Sequence, residues 1–196
     1  MTNAVAADDD DVKLQRDRIL DIVVELLETE GYDAVQLRAV ARRARTSLAT
    51  IYKRYGTRDE LILAALDCWM KENRYSGLSQ PHDKDESIYA GLTRVLRTIF
   101  EPWERHPAML EAYFRARTAP GGQKLVRRGF DTVVPAAMEA LSGADADFIR
   151  DVDTIVSSVV YGLMGRFAAG EIDITEIVPS LDRTVHWLAA GYEASR

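Results

Sequence analysis

Between Asp33 and Asp59 the chain carries no acidic residue, yet the interval holds Arg38, Arg42, Arg43, Arg45, Lys53, Arg54 and Arg58. Apolar residues are threaded through these charges at helical spacing. Leu37, Val40, Ala41 and Ala44 share one face, and Leu48, Ile51, Tyr52 and Tyr55 repeat the pattern after Ser47, a helix-capping residue type. Two short amphipathic helices on either side of a tight turn, with seven positive charges on and beside them, describe a helix-turn-helix turned toward phosphate. The competing reading is a three-helix core whose cations are only a solvated face.

Charge distribution favours the first reading. With seven positive charges in residues 34–58 and a net charge of −6 overall, the rest of the chain carries −13. One basic surface on an acidic body fits a protein with a single nucleic-acid-facing side. The 196 residues, 47% of them apolar, suffice for a compact head plus a larger second unit. Cys68 is the sole cysteine, which excludes an intrachain disulfide and suits a reducing compartment; in its apolar helical run it reads as a buried, inert thiol. The N-terminus is acidic and lacks the apolar core of a signal peptide, and no apolar run reaches the ~18 residues of a membrane span. The expected location is the cytoplasm.

Along the chain, residues 1–11 (MTNAVAADDDD) read as a disordered acidic tail. Helix 1 is expected over about Val12–Glu30, with the stripe Ile19, Ile22, Val23, Leu26, Leu27 facing a core and Gly31 terminating it. Lys13, Arg16 and Arg18 near its start are either backbone contacts to DNA or ordinary surface charges. Helices 2 and 3 follow at about Leu37–Ala44 and Leu48–Tyr55. Thr57 with Glu60 forms a capping box for helix 4, Arg58–Arg74. Residues 76–84 form a polar loop. Helix 5 spans about Glu86–Arg105, kinked or ended by Pro102, and helix 6 starts at Pro107. Helix 7 spans about 123–141 with a bend at Pro135. Helix 8, about 145–169, is apolar on more than one side, and helix 9 covers about 175–194. No strand pattern or internal repeat is visible, so the fold class is all-α.

At the basic interval the chain resembles the TetR family of bacterial one-component transcriptional regulators. The resemblance covers roughly residues 14–70 and rests on the amphipathic first helix ending in Gly31-Tyr32, then LRAVARRA, TSLATIYKRY and Thr57-Arg58-Asp59-Glu60-Leu61. Two departures stand out: Arg45 replaces the glycine usual in the turn, and Arg58 the usual lysine. Farther on, the Arg105-His106-Pro107 step is weakly similar to an actinobacterial branch of the same family.

The resemblance implies a disordered tail (1–11), a DNA-binding head (12–57) and an effector-binding and dimerisation domain (58–196). It implies a homodimer formed through helices 8 and 9, a partner in double-stranded operator DNA, a small hydrophobic or amphipathic effector, and no cofactor. Helix 3 is then the recognition helix. Ala49, Thr50 and Arg54 are expected at base edges, the last bidentate to guanine. Tyr52, Lys53 and Arg58 resemble phosphate-binding positions, and Gln36 and Arg38 would clamp the adjacent backbone. Arg45, Thr46, Ser47 and Leu48 complete the expected face, while Tyr55 packs in the head core. Arg45, in the glycine position, is expected to adopt a left-handed backbone. In the body, Leu66, Trp69, Phe100, Trp103, Tyr113, Phe114, Met138 and Tyr161 are candidates for an apolar effector site, with Arg117 and Tyr113 anchoring a polar end. Core packing is the equal alternative for each. Ser157, Gly162 and Gly165 are read as small residues that allow close approach of a partner helix.

Other chemistry is not legible. His82, His106 and His186 lack metal-ligand spacing, and Asp145, Asp147, Asp151 and Asp153 stand at a helix start, where acids suit the dipole. No nucleophile elbow, Gly-rich phosphate loop or metalloprotease motif is present. The expectation is a repressor released by its effector. A ligand-independent DNA-binding protein and, more remotely, a small all-α enzyme are the alternatives.

Overall fold

The computed structural model describes residues 18–78 and 86–195. The acidic tail, Lys13, Arg16, the start of the first helix, His82 and most of the 76–84 loop lie outside the described residues. Within them the chain forms nine α-helices and no strand. The described part of α1 covers 18–29. It is followed by α2 (Leu37–Arg43), α3 (Leu48–Tyr55), α4 (Arg58–Asn73), α5 (Ile88–Arg105), α6 (Pro107–Ala116), α7 (Gly122–Ala140), α8 (Ala146–Ala168) and α9 (Ile177–Ala194). Single 3-10 turns at Tyr32–Ala34 and Ile174–Glu176 precede α2 and α9. No helix among the described residues is long and apolar enough to cross a membrane.

The helix ends follow local chemistry. Ser47 Oγ accepts from Thr50 N at 3.0 Å to start α3. The Thr57–Glu60 capping box opens α4, and Asp145 accepts from Phe148 N at 2.8 Å to open α8. Helix α5 begins at Ile88 rather than Glu86, because Ser87 supplies the capping oxygen to Ala90 N. Pro102 does not end α5, which continues to Arg105. Pro135 likewise lies inside α7.

In the head, α1, α2 and α3 pack around Ile19, Val23, Leu26, Leu27, Val40 and Ile51, each almost wholly buried. Burial of one such side chain stabilises by about 1.5–3 kcal/mol. This core continues without a break through Leu61, Ile62 and Leu66 of α4 into the body. Contact between head and body is therefore carried largely by α4. In the body α5 packs against α9 and α7, α6 against α4 and α8, and α8 against α9. Trp69 of α4 stacks on Trp103 of α5 with ring centroids 4.8 Å apart, an arrangement that adds about 0.5–1.5 kcal/mol to simple burial.

Candidate DNA-binding face and body cavity

Short helices leave little freedom in the turn between α2 and α3. Arg45 N donates to Arg42 O at 3.3 Å and Thr46 N to Ala41 O at 3.0 Å. Closing this turn puts Arg45 at φ 52°, the one left-handed non-glycine among the described residues. A side chain there costs about 1 kcal/mol relative to glycine.

The outward line of α3 is Ala49, Tyr52 and Lys53, all exposed, with Tyr52 53% accessible. Exposed Arg38, Arg45 and Ser47 adjoin it. Gln36, the residue before α2, is exposed and donates to Asp33 O at 3.0 Å. Thr46, Leu48, Thr50 and Arg54 are half-buried. Thr50 shares a 2.8 Å hydrogen bond with Ser47 Oγ, so its hydroxyl serves the helix cap. Arg54, expected at a base edge, lies half-buried at the side of the helix next to buried Tyr55.

Arg58 has another task. Its Nε donates to Val35 O and its Nη2 to Tyr32 O, both at 2.5 Å, and its guanidinium lies 4.8 Å from the Tyr32 ring centroid. These bonds tie the start of α4 to the loop before α2. Arg115 of α6 reaches the same loop from the body. It makes two hydrogen bonds to Asp33, at 3.0 and 2.9 Å, and covers the Tyr32 ring at 4.3 Å. The hydrogen bonds from Arg115 hold the Asp33 carboxyl below its ordinary value. His106 Nδ1 meets Glu28 at 2.7 Å, a second contact from the start of α6 to the head. The head is thus clasped at Tyr32 by one arginine from α4 and one from α6.

Behind α4 the body holds a cavity of about 540 Å³. Its floor is buried: Met70, Leu92, Val95, Leu96, Ile99 and Phe100. Its rim, formed by Phe130, Val134 and Met138 of α7 with Arg150 and Asp153 of α8, is exposed. Of the residues expected at an effector site, Phe100, Tyr113, Met138 and Tyr161 line this space. Leu66, Trp69, Trp103, Phe114 and Arg117 are not among its lining residues. Leu66, Trp69 and Trp103 are closed into the α4–α5 core. Arg117 instead lies over the rings of Phe114 at 4.4 Å and Tyr161 at 4.9 Å. The reason is geometric: a helical stripe shows which side faces inward, but not which inward residues meet a void.

Arg74 and Tyr75 of the wall were not singled out in the sequence. Arg74, the residue just after α4, is the one charged residue buried among those described. Its Nε donates to Ile99 O at 2.7 Å, and its guanidinium lies 4.4 Å from the Trp103 ring. Burial lowers its pKa to about 10, so it remains cationic at neutral pH. No carboxylate pairs with it among the described residues. The neighbouring Tyr75 hydroxyl is buried without a hydrogen-bond partner there. Burial also pushes the Tyr113 phenol up to about 12, leaving it a protonated donor. The sequence signal was an arginine–tyrosine pair one turn past Met70, easily taken for a polar helix end.

Comparison with known proteins agrees with this arrangement. Residues 19–65 match the family described as bacterial regulatory proteins, tetR family. Residues 86–188 match the Tetracyclin repressor-like C-terminal domain. The chain is 25% identical over 192 residues to the HTH-type transcriptional repressor KstR of Mycobacterium tuberculosis, covering 92% of this chain and 83% of that protein. It is 32% identical over 104 residues to KstR of Rhodococcus jostii, covering 53% and 48%. A solved TetR transcriptional regulator from Rhodococcus sp. RHA1 shares the fold, with TM-score 0.61 at 17% identity over 91% of this chain and 96% of the other. The protein is therefore a TetR-family transcriptional regulator with an N-terminal helix-turn-helix DNA-binding head.

Proposed function

We propose that the protein is a cytoplasmic homodimeric repressor that leaves its operator when a small amphipathic effector fills the body cavity. The observation that carries this reading is the cavity itself. It is walled by the end of α4 and by α5, α6, α7 and α8, and α4 and α6 are the helices that clasp the head. A fully packed body would instead suit a DNA-binding protein without a ligand. The two named KstR relatives are repressors by their descriptions, which supports the sign of regulation. The DNA-facing residues in this reading are Gln36, Arg38, Arg45, Ala49, Tyr52 and Lys53, with Thr46, Ser47, Leu48, Thr50 and Arg54 at the margin.

The dimer surface in this reading is the outer stripe of α8 and α9. Ile155, Val159 and Gly162 on α8 continue into Trp187 and Gly191 on α9. Trp187 is 71% exposed, and a side chain added at Gly162 or Gly191 would meet nothing. The other small residues first considered face inward: Gly165 approaches the Phe114 ring and Ser157 lines the cavity.

A ligand shifts an equilibrium only by its differential affinity for the two states. The test is a plugged cavity. Ala137→Trp should bind operator fragments, found by mapping the sites occupied in cells, as the parent does, and should no longer release them on addition of a cell extract that releases the parent. Normal release by the plugged variant would place the effector site elsewhere.

A further inference from the structure

The cavity wall contains a cation that no carboxylate among the described residues matches. Arg74 is 7% exposed, and its partners among the described residues are the Ile99 carbonyl and the faces of Trp103, Tyr75 and Phe100. A buried guanidinium without a carboxylate is costly, yet here it faces the cavity with a buried, unpartnered hydroxyl (Tyr75) and a second phenol (Tyr113) beside it. Apart from Ser157 and, at the rim, Arg150 and Asp153, the other side chains lining the cavity are apolar or aromatic. Gly129 on α7 supports the same reading, since a Cβ there would come within 3.2 Å of the Tyr75 hydroxyl and close the space above it.

We propose that the effector is an apolar monocarboxylate bound head-inward, its carboxylate held by the Arg74 guanidinium and the Tyr75 and Tyr113 hydroxyls, its hydrocarbon body running outward between α7 and α8. This rests on the effector reading above and names the chemistry of that site. Guanidinium matches carboxylate in charge and in planar geometry. The pair also lies where it can act on the head. Arg74 directly follows the helix whose first residue holds Val35 O and Tyr32 O, and Tyr113 sits two residues before the Arg115 that holds Asp33. A head group that draws Arg74 away from Ile99 O would therefore move both clasps.

The test measures direct binding to the full-length protein by calorimetry, using myristate and 1-tetradecanol as matched probes. The acid should bind at least about tenfold tighter than the alcohol, the usual scale of a charge-assisted hydrogen bond. Arg74→Met should bring the two affinities together while leaving the alcohol unchanged, and Tyr75→Phe, which deletes only a hydroxyl and preserves packing, should weaken the acid severalfold. Equal binding of acid and alcohol by the parent, or binding of neither, overturns the proposal. So does an acid preference that survives Arg74→Met but is lost in Arg150→Gln or Arg117→Met, because the head group would then lie at the rim or behind Tyr161. The plugged-cavity assay reads operator release independently, so failure of the carboxylate assignment leaves the effector reading standing or falling on its own result.

Discussion

The head and the body are built from the same kind of amphipathic helix, but they use it differently. Head helices are short, and the centre of their shared core closes tightly: Ile19, Val23, Leu27 and Val40 have no accessible surface. Most body helices are longer, yet α7 is covered so loosely that Phe130, Val134 and Met138 are each at least 40% exposed. The head must hold two helices in a fixed relation to a DNA groove, so rigidity serves it. The body must admit a molecule and respond to it, so incomplete packing serves there. Incomplete packing also means fewer apolar contacts on α7, and such elements open at lower free energy than the rest of a fold.

The largest expected consequence is in stability. Leu26→Ala, in the closed head core, should cost about 2–5 kcal/mol by chemical denaturation. Val134→Ala, on the half-exposed cavity rim, should cost well under 1 kcal/mol, as exposed substitutions do. Comparable losses at the two sites would mean that α7 is covered in solution and that the contrast is wrong.

Next in size is assembly. Trp187→Glu places a charge on the most exposed large apolar side chain among the described residues and should convert dimer to monomer in light scattering at micromolar concentration, with operator affinity lost and the helical content retained. A wild-type monomer under the same conditions would remove the proposed interface altogether.

A smaller effect is expected at the turn. Arg45→Gly relieves a left-handed arginine and should raise stability by about 1 kcal/mol. It should also weaken binding to all DNA sequences and lower the salt slope by about 1. Loss of both stability and binding would show that the arginine side chain supports the turn rather than the DNA contact.

The smallest stability change is expected at the clasp, and it separates the two regions most finely. Asp33 lies on the surface, and the pair with Arg115 lowers its carboxyl pKa from 3.8. Its contribution is therefore fully present above pH 3.8 and is lost as pH falls through the lower folded value; titration near neutrality leaves it untouched. Asp33→Asn should barely move the thermal midpoint near neutral pH, because exposed ion pairs contribute little. It should nevertheless alter how strongly the cavity ligand changes operator affinity. Unchanged coupling would leave α4 alone as the link.

Much of the head was legible because its rules are local. Ser47 and Thr57 cap the helices they were expected to begin, α3 runs from Leu48 to Tyr55 as its spacing predicts, and Arg45 takes the backbone that a glycine position demands. Each depends on residues within one turn of chain. Arg58 was less legible, since its carbonyl partners lie 23 and 26 residues away.

The sequence by itself determined the helices, most of their inward faces, the basic surface and the family, because helical periodicity, capping and charge distribution are properties of neighbouring residues. Tertiary structure alone decided which inward residues meet a void. Trp103 and Phe100 lie on one stripe, but Trp103 is closed against Trp69 while Phe100 opens on the cavity. It alone placed Arg74, one residue past the end of an ordinary helix, inside that wall with Ile99 and Tyr113. Packing of separate helices sets where space remains and which charge is left facing it, and no local pattern encodes that.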